Sequence, residues 1–507
     1  MISVPLPVRR LASTALLAGA LLAVTATAAS AAYDPADPAQ QAEYTQAFDL
    51  GTQAYEYGIP LLDMQRTYES STSVNVQNGR GGGPVNQFSH FAKLADANDR
   101  VVVLPNNDTL YSMAWLDLRK QPVVVHSAPV KGRFHTLELL TPWTENFANI
   151  GPTRTAHPDG DYLVTGPGFK GKVPKGLRRI RSPYTRVWII GRTEINGPSD
   201  LKATQKAMRT FHLTPLNKWN RKKPYGYTPP KPKRPDSTIN LAHVPGTGAG
   251  EDPATFFDAL GTAMTQFKAP AADTPFLAKI AALHIGPGRK TTASGLSDAQ
   301  LQGLRDAVSK GPDTVQRELT TRYINESPKN NGWLVLRTGR YGTDYAFRAG
   351  VDKAGLGAPV PELAVYPAAL RDRDLGPLTG EKRFVVHFPA SAFPIPVQFF
   401  WSLTLYDTDG FLVPNPINRY IINDRSKLHF NADKSLDIYV QQTAPTSATQ
   451  QQNWLPAPAG GFKFSMRLYG LSAKGISGLE NGTGWKPPTI LPCLDTGATR
   501  EGVACAG

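Results

Sequence analysis

Carboxylates set beside aromatic rings are the side chains of this sequence best equipped for chemistry. Asp108 and Asp117 flank Tyr111 and Trp115, Glu138 and Glu145 follow one strand candidate later, and Asp407 and Asp409 close a second aromatic run near Asn415, Asn418 and Arg419. Such a set fits glycoside cleavage, in which one acid protonates the leaving oxygen and the other activates water or attacks, the two carboxyls standing roughly 5 to 9.5 Å apart while rings stack on the sugar. Read so, Asp108 and Glu145 are the catalytic pair, and Asn106, Tyr111, Trp115, Arg154, Arg340, Asn415 and Arg419 form the ligand-binding set. The same residue types also build turns, because Asx side chains accept from nearby backbone amides. Asn106-Asn107-Asp108-Thr109 has that composition, and Asp407-Thr408-Asp409-Gly410 ends in the Asp-Gly pair of a hairpin. Arg154, Arg192, Arg340 and Arg419 carry planar forks that suit a ligand carboxylate or phosphate, or that pin acidic turns.

Other chemistries lack their signatures. No Gly-x-Ser-x-Gly elbow is present, and Gly79-Arg80-Gly81-Gly82-Gly83-Pro84 runs into proline rather than into a helix, so it makes no phosphate loop. His126 and His135 lie on neighbouring strand candidates and His387 within a third, yet no His-x-His or His-Glu-x-x-His spacing exists, and neither a metal nor a cofactor is assigned. Cys493 and Cys505 are the only cysteines. Without a neighbouring His or a Cys-x-x-Cys spacing, they read as a disulfide closing the C-terminal tail, worth about 3 kcal/mol in chain entropy.

An exported protein is expected. Arg9 and Arg10 precede an apolar run from Leu11 to Val24, and Ala29-Ser30-Ala31 offers a cleavage site, so residues 1–31 read as a signal peptide. The run is too short and alanine-rich to anchor the chain, so stable membrane insertion is not expected, and the mature protein is placed outside the cell or on its surface. The formal charge is +14, or +12 once Arg9 and Arg10 leave with the leader. Such a surface favours anionic partners. Much of the excess lies in Lys218–Arg234, where basic residues alternate with prolines and with Trp219, Tyr225 and Tyr227. That stretch fits an anionic-polymer grip by charge and stacking, or a proline-stiffened solvated connector. Nucleic acid is not an expected partner of an exported chain.

The elements that must position these residues are mostly short strands. A helix is expected from Gln40 to Tyr57, ended by Gly58 and Pro60. Val101–Leu104, Val123–His126, Phe134–Leu140, Tyr162–Val164 and Val187–Ile195 are rich in β-branched and aromatic residues and separated by turn formers. Helical spacing then takes over after Ser199, after Asp252-Pro253, and after the capping box Ser297–Gln300, with Gly311 as the expected stop. From Trp333 strands resume, and Phe462–Tyr469 alternates so regularly that one face should be buried and the other wet.

Several blocks then resemble a known pair of domains. Leu104–Ser112, Trp115–Leu118, Asn149–Thr155, Gly160–Val164 and Val187–Arg192 are similar to the domain of unknown function DUF1254. Gly339–Tyr345, Phe400–Phe411, Asn415–Tyr420 and Asn453–Pro458 resemble its usual companion, DUF1214. The resemblance implies two tandem jelly-roll-like β units with intervening helices, and no settled activity.

The expected organisation is α+β, mainly β with helices: a signal peptide (1–31), an N-terminal β unit with a leading helix (40–215), a basic connector and helical section (216–330), a second β unit (331–490) and a disulfide-closed tail (491–507). Function is expected to be binding, with cleavage as an extension of it, of a saccharide or anionic envelope polymer in a cleft lined by Asp108, Tyr111, Trp115 and Glu145. A noncatalytic envelope or assembly protein, forming homo-oligomers through its β units, is the alternative. Fold does not choose between them.

Overall fold

Alternation along the strands produces two sandwiches of the same make-up. The computed structural model describes residues 32–73, 81–100, 103–153, 155–229, 243–494, 497–499 and 501–506. The leader, Arg154 and the middle of the basic connector lie outside the described residues. In the first sandwich the strands are β1 (Ser89–His90), β2 (Thr109–Asp117), β3 (Val123–Ser127), β4 (His135–Leu140), β5 (Asn146–Ile150), β6 (Gly160–Thr165), β7 (Arg178–Arg181), β8 (Arg186–Glu194) and β9 (His212–Pro215). They form a five-stranded sheet, β1-β2-β8-β4-β5, and a four-stranded sheet, β7-β6-β3-β9. Leu116, Leu137, Val187 and Ile189 from one sheet meet Val123, Val125, Tyr162 and Val164 from the other.

The second sandwich repeats the scheme. Its strands are β10 (Ala364–Val365), β11 (Ala368–Ala369), β12 (Phe384–Phe388), β13 (Trp401–Asp407), β14 (Ile421–Asn423), β15 (Leu436–Gln441), β16 (Trp454–Pro456), β17 (Phe462–Tyr469) and β18 (Thr489–Pro492). One sheet runs β10-β17-β13-β14 with β11 also on β17, and the other runs β16-β15-β12-β18. Leu403, Leu405, Phe464 and Met466 face Val386, Ile438, Val440 and Ile490 between them. The expected α+β class with two β-sandwich units is therefore present, and neither unit closes into a barrel.

The helices differ from expectation in length and in allegiance. The leading helix α1 runs Pro38–Thr72, straight through Gly58 and Pro60. After α2 (Leu201–Met208), α3 (Thr255–Gln266) and α4 (Thr274–Ile280), the capping box at Ser297–Gln300 starts α5, which passes Gly311 and Pro312 to end at Glu326. Both glycines serve packing rather than termination. A Cβ on Gly58 would stand 2.6 Å from Leu260 Cδ2, and one on Gly311 would stand 2.4 Å from Tyr55 Cε1. Close approach of α1 to α3 and α5 thus outweighs the breaker tendency of each Gly and Pro. The helix α6 (Tyr345–Gly355) falls within the range expected of the second β unit, yet its Ala349 joins the same helical core as Ala54 and Val315. The expected strand at Val101–Leu104 is not formed over its described part, because Leu104 takes φ 51° and donates its N–H to the Gly410 carbonyl at 2.8 Å. That bond already joins the two sandwiches.

Candidate functional site

The strand Phe462–Tyr469 corrects the expectation of a wet face. Ser465, Arg467 and Tyr469, on the side away from the core, are buried. So are Ser402, Thr404 and Tyr406 on β13, the strand paired with it. Their cover comes from the first sandwich. Arg467 donates from Nη2 to the Leu104 carbonyl (3.0 Å) and the Tyr406 hydroxyl (2.6 Å), and from Nη1 to Thr404 Oγ1 (2.9 Å). Tyr406 donates to the Pro105 carbonyl (2.8 Å), and Asn106 Nδ2 donates to the Tyr469 hydroxyl (2.7 Å). Leu104-Pro105-Asn106 therefore lies along the back of the second five-stranded sheet. Asn106 also accepts from the amides of Asp108 (2.7 Å) and Thr109 (3.2 Å), so the Asx turn and the contact with the second unit are made by one side chain.

The first sandwich contributes the outer face of its own five-stranded sheet. Tyr111 on β2 sits opposite Arg192 on β8, which sits opposite Thr136 on β4. Arg192 Nη1 stands 2.7 Å from Glu138 Oε1, and its Nη2 donates to the Gly357 carbonyl at 3.0 Å. The Arg192 guanidinium carbon is 5.4 Å from the Tyr111 ring centre, and that of Arg467 is 5.5 Å from the Tyr366 ring centre. Tyr111 and Tyr366 are half-buried among neighbours that are otherwise closed off.

Arg425, just after β14, ties three acids together. Its Nη2 reaches Asp108 Oδ1 (3.0 Å), while Nη1 reaches Asp424 Oδ1 (2.9 Å) and Glu194 Oε1 (3.3 Å). Asn423 Nδ2 adds a second bond to Asp108 Oδ1 at 3.1 Å. Burial pushes the Asp108 carboxyl up, against the pull of Arg425. Burial holds Asp424 at about 6, with Arg425 drawing it down and Glu194 and Asp108 driving it further up. Burial likewise raises Glu138, opposed by Arg192, and lifts the Tyr366 phenol to about 12. We take the Glu138–Arg192 pair as ionised, because a guanidinium does not give up its proton in a protein and a neutral acid would leave that cation buried alone.

Hydrogen-bonding capacity remains open at this seam. Among the described residues, Glu138 Oε2, Arg192 Nε and Arg467 Nε are buried without a partner, while Asp108 has Ser402 as a hydrogen-bond neighbour and Glu138 Oε1 is paired with Arg192. Arg192 Nη1 and Glu138 Oε1 form an ion pair at 2.7 Å.

Asp108, Asn106 and Tyr111 of the expected set are thus brought together, and the other described members are not. Asp108 has no accessible surface, and Glu145 accepts from the backbone amides of Tyr341 (3.1 Å) and Gly342 (3.1 Å), so the two do not face one another across an open cleft. Trp115 is stacked flat on Trp188, ring centres 5.0 Å apart, beneath Tyr68 of α1. Arg340 pairs with Glu362 (2.8 Å) at the surface, and Asn415 bonds within its own turn to Val413 and Arg419. Arg419 donates to the carbonyls of Gln451, Gln452 and Trp454, fixing the end of the short helix α7 (Ala448–Gln452). Arg154 is not among the described residues. Cys493 and Cys505 form the expected disulfide. His135 and His387 each pair with an aspartate, Asp159 at 2.8 Å and Asp437 at 2.7 Å, and His126 pairs with Asp161. Among the described residues no three His, Cys, Asp or Glu side chains gather as a metal site. Arg467, Tyr406, Tyr469, Tyr366 and Arg425 were missing from the expected set. For Arg467 and Tyr469 the signal was the alternating polar face of β17, which looked like solvent, and Tyr366 and Arg425 lie outside the long strands.

Comparison with known proteins follows the same division into two units. Residues 85–215 match the family described as "Protein of unknown function (DUF1254)", and residues 363–473 match "Protein of unknown function (DUF1214)". The chain carries the DUF1254 and DUF1214 domains in tandem. The DUF1254 match spans β1 to β9, and the DUF1214 match spans β10 to β17, so the seam lies between the two named domains. The crystal structure of the VPA0106 protein from Vibrio parahaemolyticus is similar, with a TM-score of 0.60 at 21% identity over 88% of this chain and 100% of that one. This likeness concerns the fold alone. An uncharacterized protein from Burkholderia cenocepacia aligns over 90% of this chain and 96% of its own, at 12% identity and a TM-score of 0.39. No curated protein matches.

Proposed function

We propose that this protein is exported and binds a short saccharide at the seam between its DUF1254 and DUF1214 sandwiches, with Tyr111 and Tyr366 presenting rings and hydroxyls to it. One observation carries the reading: the open hydrogen-bonding atoms Glu138 Oε2, Arg192 Nε and Arg467 Nε are concentrated there, beside the half-buried rings of Tyr111 and Tyr366. Buried polar atoms in folded proteins nearly always find partners, and a junction needing only adhesion is held as well by apolar side chains. Donors and acceptors fixed on neighbouring strands are what a hydroxyl-rich ligand requires. Because Asp108 and Glu138 have no accessible surface, a short saccharide or a chain end suits the seam better than the body of an envelope polymer. Export rests on the leader pattern and on the Cys493–Cys505 disulfide, which belongs to an oxidising compartment. No helix among the described residues is long and apolar enough to cross a membrane.

Cleavage is a second reading, favoured by Asp424. A partly exposed carboxyl held at about 6 beside a second carboxyl is suited to act as a general acid.

The test is calorimetric titration of the purified protein with short neutral and acidic oligosaccharides, beside Tyr111→Phe and Tyr366→Phe. One member of the panel is expected to bind saturably, and loss of either hydroxyl is expected to weaken it about 3- to 10-fold, one hydrogen bond's worth. A panel that fails entirely, or variants that bind as the parent does, sinks the proposal. Product release that is lost in Asp424→Asn would add the second reading to the first.

A further inference from the structure

A separate cavity of about 480 Å³ opens at the edge of the first sandwich, between the segment that carries β1, the end of α2 with β9, and the described start of the basic connector. Its volume is at the small end of ligand sites, enough for one ring and its substituents. Phe88, Phe211 and Tyr227 supply aromatic wall, and Gln87, His90, His212 and Arg209 supply the polar groups. Among the described residues no carboxylate lines it. The Arg209 guanidinium is exposed and meets no acid among the described residues. His90 is committed at one nitrogen, Nδ1, to Ser112 Oγ at 2.9 Å, which leaves Nε2 for a ligand. Burial, with Arg209 and His212 nearby, lowers His90 to about 4, so the ring is neutral near pH 7 and a polar contact rather than a charge. Tyr225 stacks on His212 with ring centres 5.2 Å apart, which fixes the connector against this edge and sets Tyr227 into the wall.

We propose that this pocket binds a small planar aromatic carboxylate, its ring among Phe88, Phe211 and Tyr227 and its carboxylate on the Arg209 fork. A planar two-oxygen anion matches a guanidinium in two parallel hydrogen bonds, and a flat ring fits a cavity of this size with aromatic sides. The acids nearest in sequence to the pocket's histidines are already engaged: Asp96 with Lys93, and Asp200 with Arg133. They leave Arg209 available. Phe91 also lines the cavity, with its ring centre 5.4 Å from that of Tyr111, so this pocket and the seam are neighbours with separate polar groups.

The experiment is calorimetric titration of the whole purified protein with benzoate, benzamide and inorganic phosphate, repeated on Arg209→Leu, Arg209→Lys and Tyr366→Phe. Benzoate is expected to bind saturably at roughly millimolar affinity or tighter, with benzamide and phosphate each about tenfold weaker or worse. Arg209→Leu is expected to weaken benzoate at least about tenfold, Arg209→Lys by less, and Tyr366→Phe not at all. Absence of saturable benzoate binding, or indifference to Arg209→Leu, overturns the assignment. Phosphate binding as tightly as benzoate overturns the aromatic part of it. Loss of benzoate in Tyr366→Phe would move the ligand into the seam and overturn it as well, whereas failure of the saccharide panel alone leaves it standing.

Discussion

Removing one partner from the Glu138–Arg192 pair should carry a cost that depends on pH when Arg192 goes and not when Glu138 goes, because only the carboxylate can escape its charge. Glu138 has no accessible side-chain surface and Arg192 keeps 6%, with 2.7 Å between them. In Arg192→Met the stranded carboxylate can take up a proton, and from an ordinary value near 4.5 that costs about 1.4 kcal/mol for each pH unit above it, so about 3 kcal/mol at pH 7 and under about 1 kcal/mol at pH 5. Loss of the hydrogen bond from Arg192 to the Gly357 carbonyl adds about 1 kcal/mol at either pH. In Glu138→Leu the stranded guanidinium has no such exit, and about 3 to 5 kcal/mol is expected at both pH values. The double variant Glu138→Leu/Arg192→Met should return to within about 2 kcal/mol of the parent. Urea unfolding followed by tryptophan fluorescence at pH 5 and pH 7 measures all three, and Trp115 and Trp188 lie on the same outer sheet face as the pair. Single variants that each cost less than about 1 kcal/mol, or an Arg192→Met penalty that does not change with pH, would show that the pair is solvated and refute the reasoning.

Three further outcomes are expected. Glu56 on α1 is raised to about 7 by burial, with Glu318 and Asp344 adding to the rise, so its folded state holds the proton more tightly and stability falls as pH climbs from about 4.5 through 7. Glu56→Gln should therefore raise the unfolding free energy at pH 8 by at most about 3 kcal/mol and leave it unchanged near pH 4, as read from urea unfolding. Gly311→Ala should destabilise by about 1 to 3 kcal/mol despite the better helix propensity of alanine, since its Cβ would meet Tyr55 at 2.4 Å, and a gain on calorimetric melting would contradict the packing role. Replacing Cys493 and Cys505 together by serine should lower the stability by up to about 3 kcal/mol, and with it the melting midpoint, since the disulfide closes a 12-residue separation and seats Cys505 and Ala506 against Val385 and Tyr439. An unchanged midpoint would mean that packing alone docks the tail.

How far the sequence could be read depended on what each pattern excludes. Composition between turn formers located β4 and β8 closely, and period-two alternation located β17, because a buried face every second residue is incompatible with helix. It could not say what covers the opposite face. Ser465, Arg467 and Tyr469 alternate as a solvated strand does, yet Leu104-Pro105-Asn106 lies over them, more than 350 residues away in sequence. The same blindness applies to Gly58 and Gly311, whose role as close-contact points depends on Leu260 and Tyr55. Asp108, Asn106 and Tyr111 were legible because a polar turn at the mouth of an aromatic strand is unusual in itself. Arg425, after a three-residue strand, carried no local signal; its role exists only through Asp108 and Glu194 of the other sandwich.

A crystal structure of the protein soaked with the best-binding member of the saccharide panel tests the central claim most directly. The account requires the ligand between Tyr111 and Tyr366, with hydroxyls within hydrogen-bond distance of Glu138 and of the Arg192 or Arg467 guanidinium. Ordered water satisfying those atoms with the saccharide bound elsewhere would contradict it.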